Sequence, residues 1–309
     1  MDNGNNIIFE LGKLAVEGYY DYQQIRISQK NRVRDVIRRK IEGIPFDKPE
    51  EKKEDKKYDD KFKDKNLPKF LGDLVLAGKI TDIEKDYIEK LFGISSDTAK
   101  TEIKYKGLMD QYLKHEKLWY MWLSKIRGIS SVLGSNLIKN FGYCENYQYV
   151  SSLWRHCGYD PDGAKGRHKG ETISYNPKLK TLIWKIGDSF IKQRTPVYRD
   201  IYDREKKRQM FMLNAILDVL TKDEKKDLKK MKKRQEKRDF ISSFNPKSPV
   251  SLLNADMRAR RKMVKIFLQH YYLIGRRFKD MSVSEPYAFG KLGHKHFIEP
   301  PFNPFKEND

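Results

Sequence analysis

Residues 7–42 carry apolar side chains at helical spacing, and nothing ends the run until Gly43 and Pro45. Ile7, Ile8, Leu11, Leu14, Ala15, Tyr19, Tyr22, Ile25 and Val33 recur every three or four residues, the period of one helix face. This predicts a single long helix. Arg26, Lys30, Arg32, Arg34, Arg38, Arg39 and Lys40 make it basic and read as a solvated face. Residues 46–67 are a run of mixed charge with little to bury, read as a loop. Helical patterning resumes over 68–93, where Thr81 and Glu84 offer a capping box. A second long helix is expected from about Ser96 to Ser124, its aromatic end (Leu118, Trp119, Tyr120, Trp122, Leu123) reading as core. The two helices together predict an antiparallel stalk over 1–118, the place where a homo-oligomer would form.

Strand-like runs are scarce and no repeat of 20–50 residues is present. The fold class expected is therefore mainly α: a long antiparallel helical stalk and a compact helical domain containing a helix-hairpin-helix. The hairpin is read at residues 123–142. Ile126 and Ile129 flank Gly128, where a positive φ is tolerated, and a second helix follows through Val132, Leu133, Leu137 and Ile138. Main-chain N–H groups at the turn and the positive end of that helix suit a phosphate. Lys125, Arg127, Gly128, Ile129, Ser130 and Ser131 are the candidate contacts. Ser130 stands where such hairpins usually carry a second glycine, and a plain packing unit has the same pattern.

The charge balance gives the partner class. Lys and Arg total 64 against 43 Asp and Glu, a net charge of +21, which favours a polyanion. No apolar run approaches the ~18 residues of a membrane span, no signal peptide is visible at the N-terminus, and two cysteines suit a reducing compartment. A cytoplasmic, nucleoid-associated protein is expected. A Gly-rich basic loop at Lys165, Gly166, Arg167, His168 and Lys169 can let a phosphate chain approach, with Lys178 and Lys180 downstream. Residues 203–247 are rich in Lys and Arg with acids interspersed, and read as solvated rather than as a DNA-binding helix. An amphipathic helix over 254–279 carries Arg258, Arg260, Arg261 and Lys262 at its expected start. Cations there oppose the helix dipole and call for an anionic neighbour, which makes them phosphate candidates. Residues 203–284 thus read as a basic helical extension and 285–309 as an extended, Pro-rich tail.

From about Trp119 to Tyr202 the chain resembles the C-terminal domain of the insertion-sequence-110 (116/110/902) transposases. Ile126, Gly128 and Ile129 are followed by Leu133, Ile138 and Gly142, then Leu153-Trp154, Cys157-Gly158 and the Gly/basic loop. Ile173-Ser174, the run Asn176-Pro177-Lys178-Leu179-Lys180, and Tyr198, Arg199 and Tyr202 complete the order. The helix around Met257–Tyr271 and the ending through Glu285-Pro286-Tyr287, His294 and His296 look like an archaeal and phage branch. The resemblance implies a transposase-related helical domain, and a stalk like the one upstream. Those transposases begin with an RNase H-like domain that holds magnesium, for which helical residues 1–42 leave no room. Their loop serine is missing from Asp160-Pro161-Asp162-Gly163-Ala164, and Ser174 matches the pair after the loop, which makes it the candidate nucleophile.

Other chemistry reads weakly. His156, Cys157, His168 and Cys144 lack the paired spacing of a zinc site; His294, His296 and Glu299 read as a packed tail; Asp160 and Asp162 read as a turn about Pro161. No metal or cofactor is expected. The function expected is DNA binding through the phosphate backbone. The alternatives are a serine-dependent recombinase acting with a partner, and an RNA-binding ribonucleoprotein component.

Overall fold

The computed structural model describes residues 7–47, 61–62, 65–161, 170–283 and 297–305. Among these the secondary structure is helical, with eleven α-helices and no strand. The chain divides into two compact units, Met1–Tyr112 and Leu113–Asp309.

The first unit holds α1 (Ile7–Glu42), α2 (Leu67–Leu76) and α3 (Asp82–Leu113, whose last residue falls past the division). α1 and α3 run antiparallel. Phe9 meets Tyr112, Tyr22 meets Tyr105, Arg26 pairs with Glu102, and Lys40 reaches Glu84 at 2.9 Å. Two glycines allow the close approach. A Cβ on Gly12 would stand 2.5 Å from the Tyr112 ring, and one on Gly18 2.4 Å from that of Tyr105. At the far end α2 adds a third layer. Val33, Ile37, Phe62, Leu67, Phe70, Leu71, Leu74, Ile80, Ile88 and Phe92 form one core there. The capping box at the head of α3 is present: the Thr81 N–H donates to Glu84 at 2.8 Å and the Glu84 N–H to the Thr81 hydroxyl at 3.2 Å. The helix expected to begin near Ser96 is in fact the continuation of α3, which passes Gly93 unbroken and ends at Leu113. Residues 117–125 form separate short elements instead.

The second unit contains α4 (Lys117–Met121), a 3₁₀ turn (Leu123–Lys125), α5 (Ser131–Phe141), α6 (Val150–His156), α7 (Pro177–Lys192), α8 (Tyr198–Val219), α9 (Lys222–Lys230), α10 (Arg234–Phe244) and α11 (Leu252–Arg277). α11 is the central element, buried against α6, α7 and α8. Trp122, Phe190, Tyr198, Phe267 and Tyr271 stack edge and face at its middle. Residues 203–247 are ordered helices: Leu213, Ile216, Leu220 and Ile241 make a small core of their own. The tail segment 297–305 packs back onto the unit. The carbonyl of Pro301 accepts from the Trp122 indole at 2.8 Å, and that of Ile298 from the His270 imidazole at 2.8 Å.

Candidate nucleic-acid interface

A tight turn stands at residues 126–129. Ile126 is buried, and the Ile129 N–H donates to the Ile126 carbonyl at 3.1 Å, closing a four-residue turn. Gly128 has φ +95°, the left-handed conformation that the third position of such a turn demands. Ser130 caps α5, its hydroxyl accepting from the Leu133 N–H at 3.4 Å. The helix ahead of the turn is short: α4 has five residues and is followed only by the 3₁₀ turn.

Two hydroxyls from the far end of α7 pin this turn. Ser189 Oγ donates to the Gly128 carbonyl and Thr195 Oγ1 to the Arg127 carbonyl, each at 2.7 Å. A Cβ on Gly128 would approach these hydroxyls at 3.0 and 3.3 Å. The turn's own acceptors are thereby consumed on the protein side. The N–H groups of Ser131 and Val132 remain, donors that the first helical turn leaves without an intrahelical partner. α7 itself ends in a Schellman motif, with Thr195 N–H to Phe190 carbonyl at 3.0 Å and Arg194 N–H to Ile191 carbonyl at 3.4 Å. Arg194 stands at φ +50°, where glycine is the usual choice. Three residues on, Val197 at φ +67° sits in a tight γ-turn, the Tyr198 N–H reaching the Pro196 carbonyl at 2.8 Å, strained for a β-branched residue.

Lys125, Arg127 and Arg194 are exposed around this double turn. None has an ion-pair partner among the described residues. No local sequence signal marks Arg194 as a contact. Pro196 marks a helix end ahead of it, but nothing local tells that this end docks on a turn 68 residues earlier. Ile129 is corrected: its side chain is 7% exposed and its N–H closes the turn, so it supports the bend and offers nothing to a ligand.

The cluster in α11 is also corrected. α11 starts at Leu252 under a Ser251 cap, so the four cations lie in its second and third turns, beyond the reach of the end dipole. Their partners lie within the protein, carboxylates for Arg260 and Lys262 and neutral oxygens for Arg258 and Arg261. Arg258 bonds Gln209 and the Lys247 carbonyl; Arg260 bonds Asp256 at 3.0 Å and Asp188 at 3.2 Å; Lys262 pairs with Glu205 at 2.9 Å. Arg261 ties down the carbonyls of Tyr159 and Asp160, the stem of the Gly-rich loop. Burial alone would raise the Asp256 and Glu205 carboxyls. Bonds from Tyr202, Lys206 and Arg260 to the first, and from Arg208, Lys262 and Gln209 to the second, outweigh it and hold both down at about 2. Arg258 and Lys262 thus hold α11 to α8, Arg260 holds it to α7, and Arg261 holds it to the segment at 159–160.

Lys178 and Lys180 belong to the opposite end of α7 from the pinned turn, ~16 Å away along the helix. Asn176 caps that end, accepting from the Lys178 N–H at 2.9 Å, and the Lys180 ammonium sits 4.2 Å over the Tyr175 ring. Lys165, Gly166, Arg167, His168 and Lys169 lie outside the described residues, as do His294 and His296. Ser174 is exposed, and no described acid or imidazole hydrogen-bonds its hydroxyl. Cys144 and Cys157 are buried free thiols, and burial pushes both well above the usual thiol range. Among the described residues no group of three His, Cys, Asp or Glu is placed to hold a metal, and no helix is long and apolar enough to cross a membrane.

The charge is divided as sharply as the fold. Residues 1–112 carry 23 Lys and Arg against 22 Asp and Glu, and residues 113–309 carry 41 against 21. Comparison of the chain with protein-family models, curated proteins and solved structures finds no match.

Proposed function

We propose that the second unit grips the sugar-phosphate backbone of DNA, with the pinned turn at 126–131 acting as the hairpin of a helix-hairpin-helix. The observation that carries this reading is the cradle itself. The N-terminus of α5 and the cations Lys125, Arg127 and Arg194, without an ion-pair partner among the described residues, surround a bend whose carbonyls are tied away by Ser189 and Thr195. Main-chain donors and fixed cations together suit a phosphate. The excess of 20 positive charges in the same unit supplies the long-range attraction. Contacts of this kind position a protein on a strand without reading its sequence. The reading is of a transposase-related binding protein, found with the nucleoid. Among the described residues no acid or imidazole hydrogen-bonds Ser174, and an activated serine needs such a base; the reading is therefore of binding rather than strand transfer.

The test is duplex DNA affinity measured against salt. A steep fall is expected, and Lys125→Ala and Arg127→Ala should each weaken binding to all sequences and lower the log–log salt slope by about 1. Competition with structured RNA at fixed salt should leave DNA the stronger ligand. Binding indifferent to salt, or to both substitutions, would overturn the assignment.

A further inference from the structure

The paired helices α1 and α3 leave a long apolar face uncovered. On α1, Gly12, Ala15, Val16, Val33 and Ile37 are buried. At 100° per residue, Ile7, Leu11, Leu14, Ile25 and Val36 fall about a quarter-turn to one side of them, and all five are exposed. On α3, Ile88, Ser95, Thr98, Glu102 and Met109 are buried. Ile83, Tyr87, Ile94 and Leu108 fall about a quarter-turn away in the same sense, and they too are exposed. Because the helices are antiparallel, equal offsets bring both stripes to one face of the pair. A monomer rarely leaves so continuous a patch to water.

We propose that this face is covered by the same face of a second copy, giving a four-helix bundle with its two-fold axis along the stalk, so that α1 of each copy lies over α3 of the other. Three observations select a second copy. The first is charge. With 23 cations against 22 anions, residues 1–112 neither repel a twin nor attract a polyanion. The second is edge complementarity. The contacts Gly18–Tyr105 and Arg26–Glu102 fix the register, which sets Asp21, on the outer edge of the α1 stripe, level with Lys104 on the outer edge of the α3 stripe. Both are exposed, and neither has a partner among the described residues. Within one chain they stand on opposite edges of the pair; across the proposed axis they meet. Arg32 and Asp97 stand on the same two edges, with Asp97 also pairing to Lys100 within α3 at 2.8 Å. The third is size. A face ~48 Å long and roughly 20 Å wide amounts to on the order of 900 Å², close to the ~800 Å² per partner of a stable interface.

The experiment is sedimentation equilibrium of the whole chain without nucleic acid, with helicity followed by circular dichroism. The unaltered chain should be dimeric. Leu14→Lys with Ile94→Lys, both on exposed positions, should raise the dissociation constant ~100-fold or more at unchanged helicity. Asp21→Lys and Lys104→Asp should each weaken the dimer several-fold, and the two together should restore it. A monomeric unaltered chain, a dimer indifferent to the stripe substitutions, or a charge exchange that restores nothing would each overturn the proposal. DNA affinity at a single site should survive the stripe substitutions, so failure here leaves the backbone-binding assignment to its own test.

Discussion

Arg194 is held where glycine would be more comfortable, and it is one of three cations at the pinned turn without an ion-pair partner among the described residues. A non-glycine residue in the left-handed region costs about 1–2 kcal/mol, and a residue kept under strain at an exposed charged site suggests use. Arg194→Gly should therefore raise stability by up to about 1 kcal/mol while weakening DNA binding, so that denaturant melts and binding isotherms move in opposite directions. Unchanged or tighter binding would remove Arg194 from the interface. Gly128 was legible as a turn glycine because the chain around it states its own geometry. The fate of the cations was not. Arg258, Arg260 and Lys262 are satisfied by Gln209, Asp188 and Glu205, partners 49 to 72 residues away, and a local reading of charge sees none of them.

Elements follow the same rule. The bounds of α1 and the capping box before α3 are written in adjacent residues, and each stands where the sequence puts it. The division of α3 was placed at Gly93–Ser96, residues through which the helix continues, while its true end at Leu113 carries no glycine or proline. Gly12 and Gly18 gave no sign of their role either, since the Tyr112 and Tyr105 rings that fill their space lie on another helix. Gly12→Ala puts a methyl group 2.5 Å from the ring of the buried Tyr112. It should destabilise the first unit by about 1–3 kcal/mol despite alanine's better helix propensity. Thermal unfolding would show it; a stabilised Gly12→Ala protein would mean that the helices do not approach as described.

For the molecule as a whole, acid should act in two stages. His270 is fully buried, donating through Nε2 to the Ile298 carbonyl and accepting at Nδ1 from the Tyr198 hydroxyl at 3.0 Å. Burial lowers it from 6.5 to about 4. The unfolded chain takes up that proton first, so stability falls as pH drops from 6.5 toward 4. Asp256 and Glu205, depressed to about 2, contribute stability that is full above their unfolded values and is lost as pH falls from about 4.5 toward 2. His270→Gln should flatten the first stage and leave the second. An unchanged slope between pH 6.5 and 4 would show that this histidine does not govern it.

The bond from Trp122 to Pro301 spans 179 positions of sequence. A ribosome releasing this chain exposes Trp122 long before its acceptor exists. The aromatic core around Trp122 must wait, part-built, through the synthesis of α5 to α11, until the segment that supplies its acceptor follows.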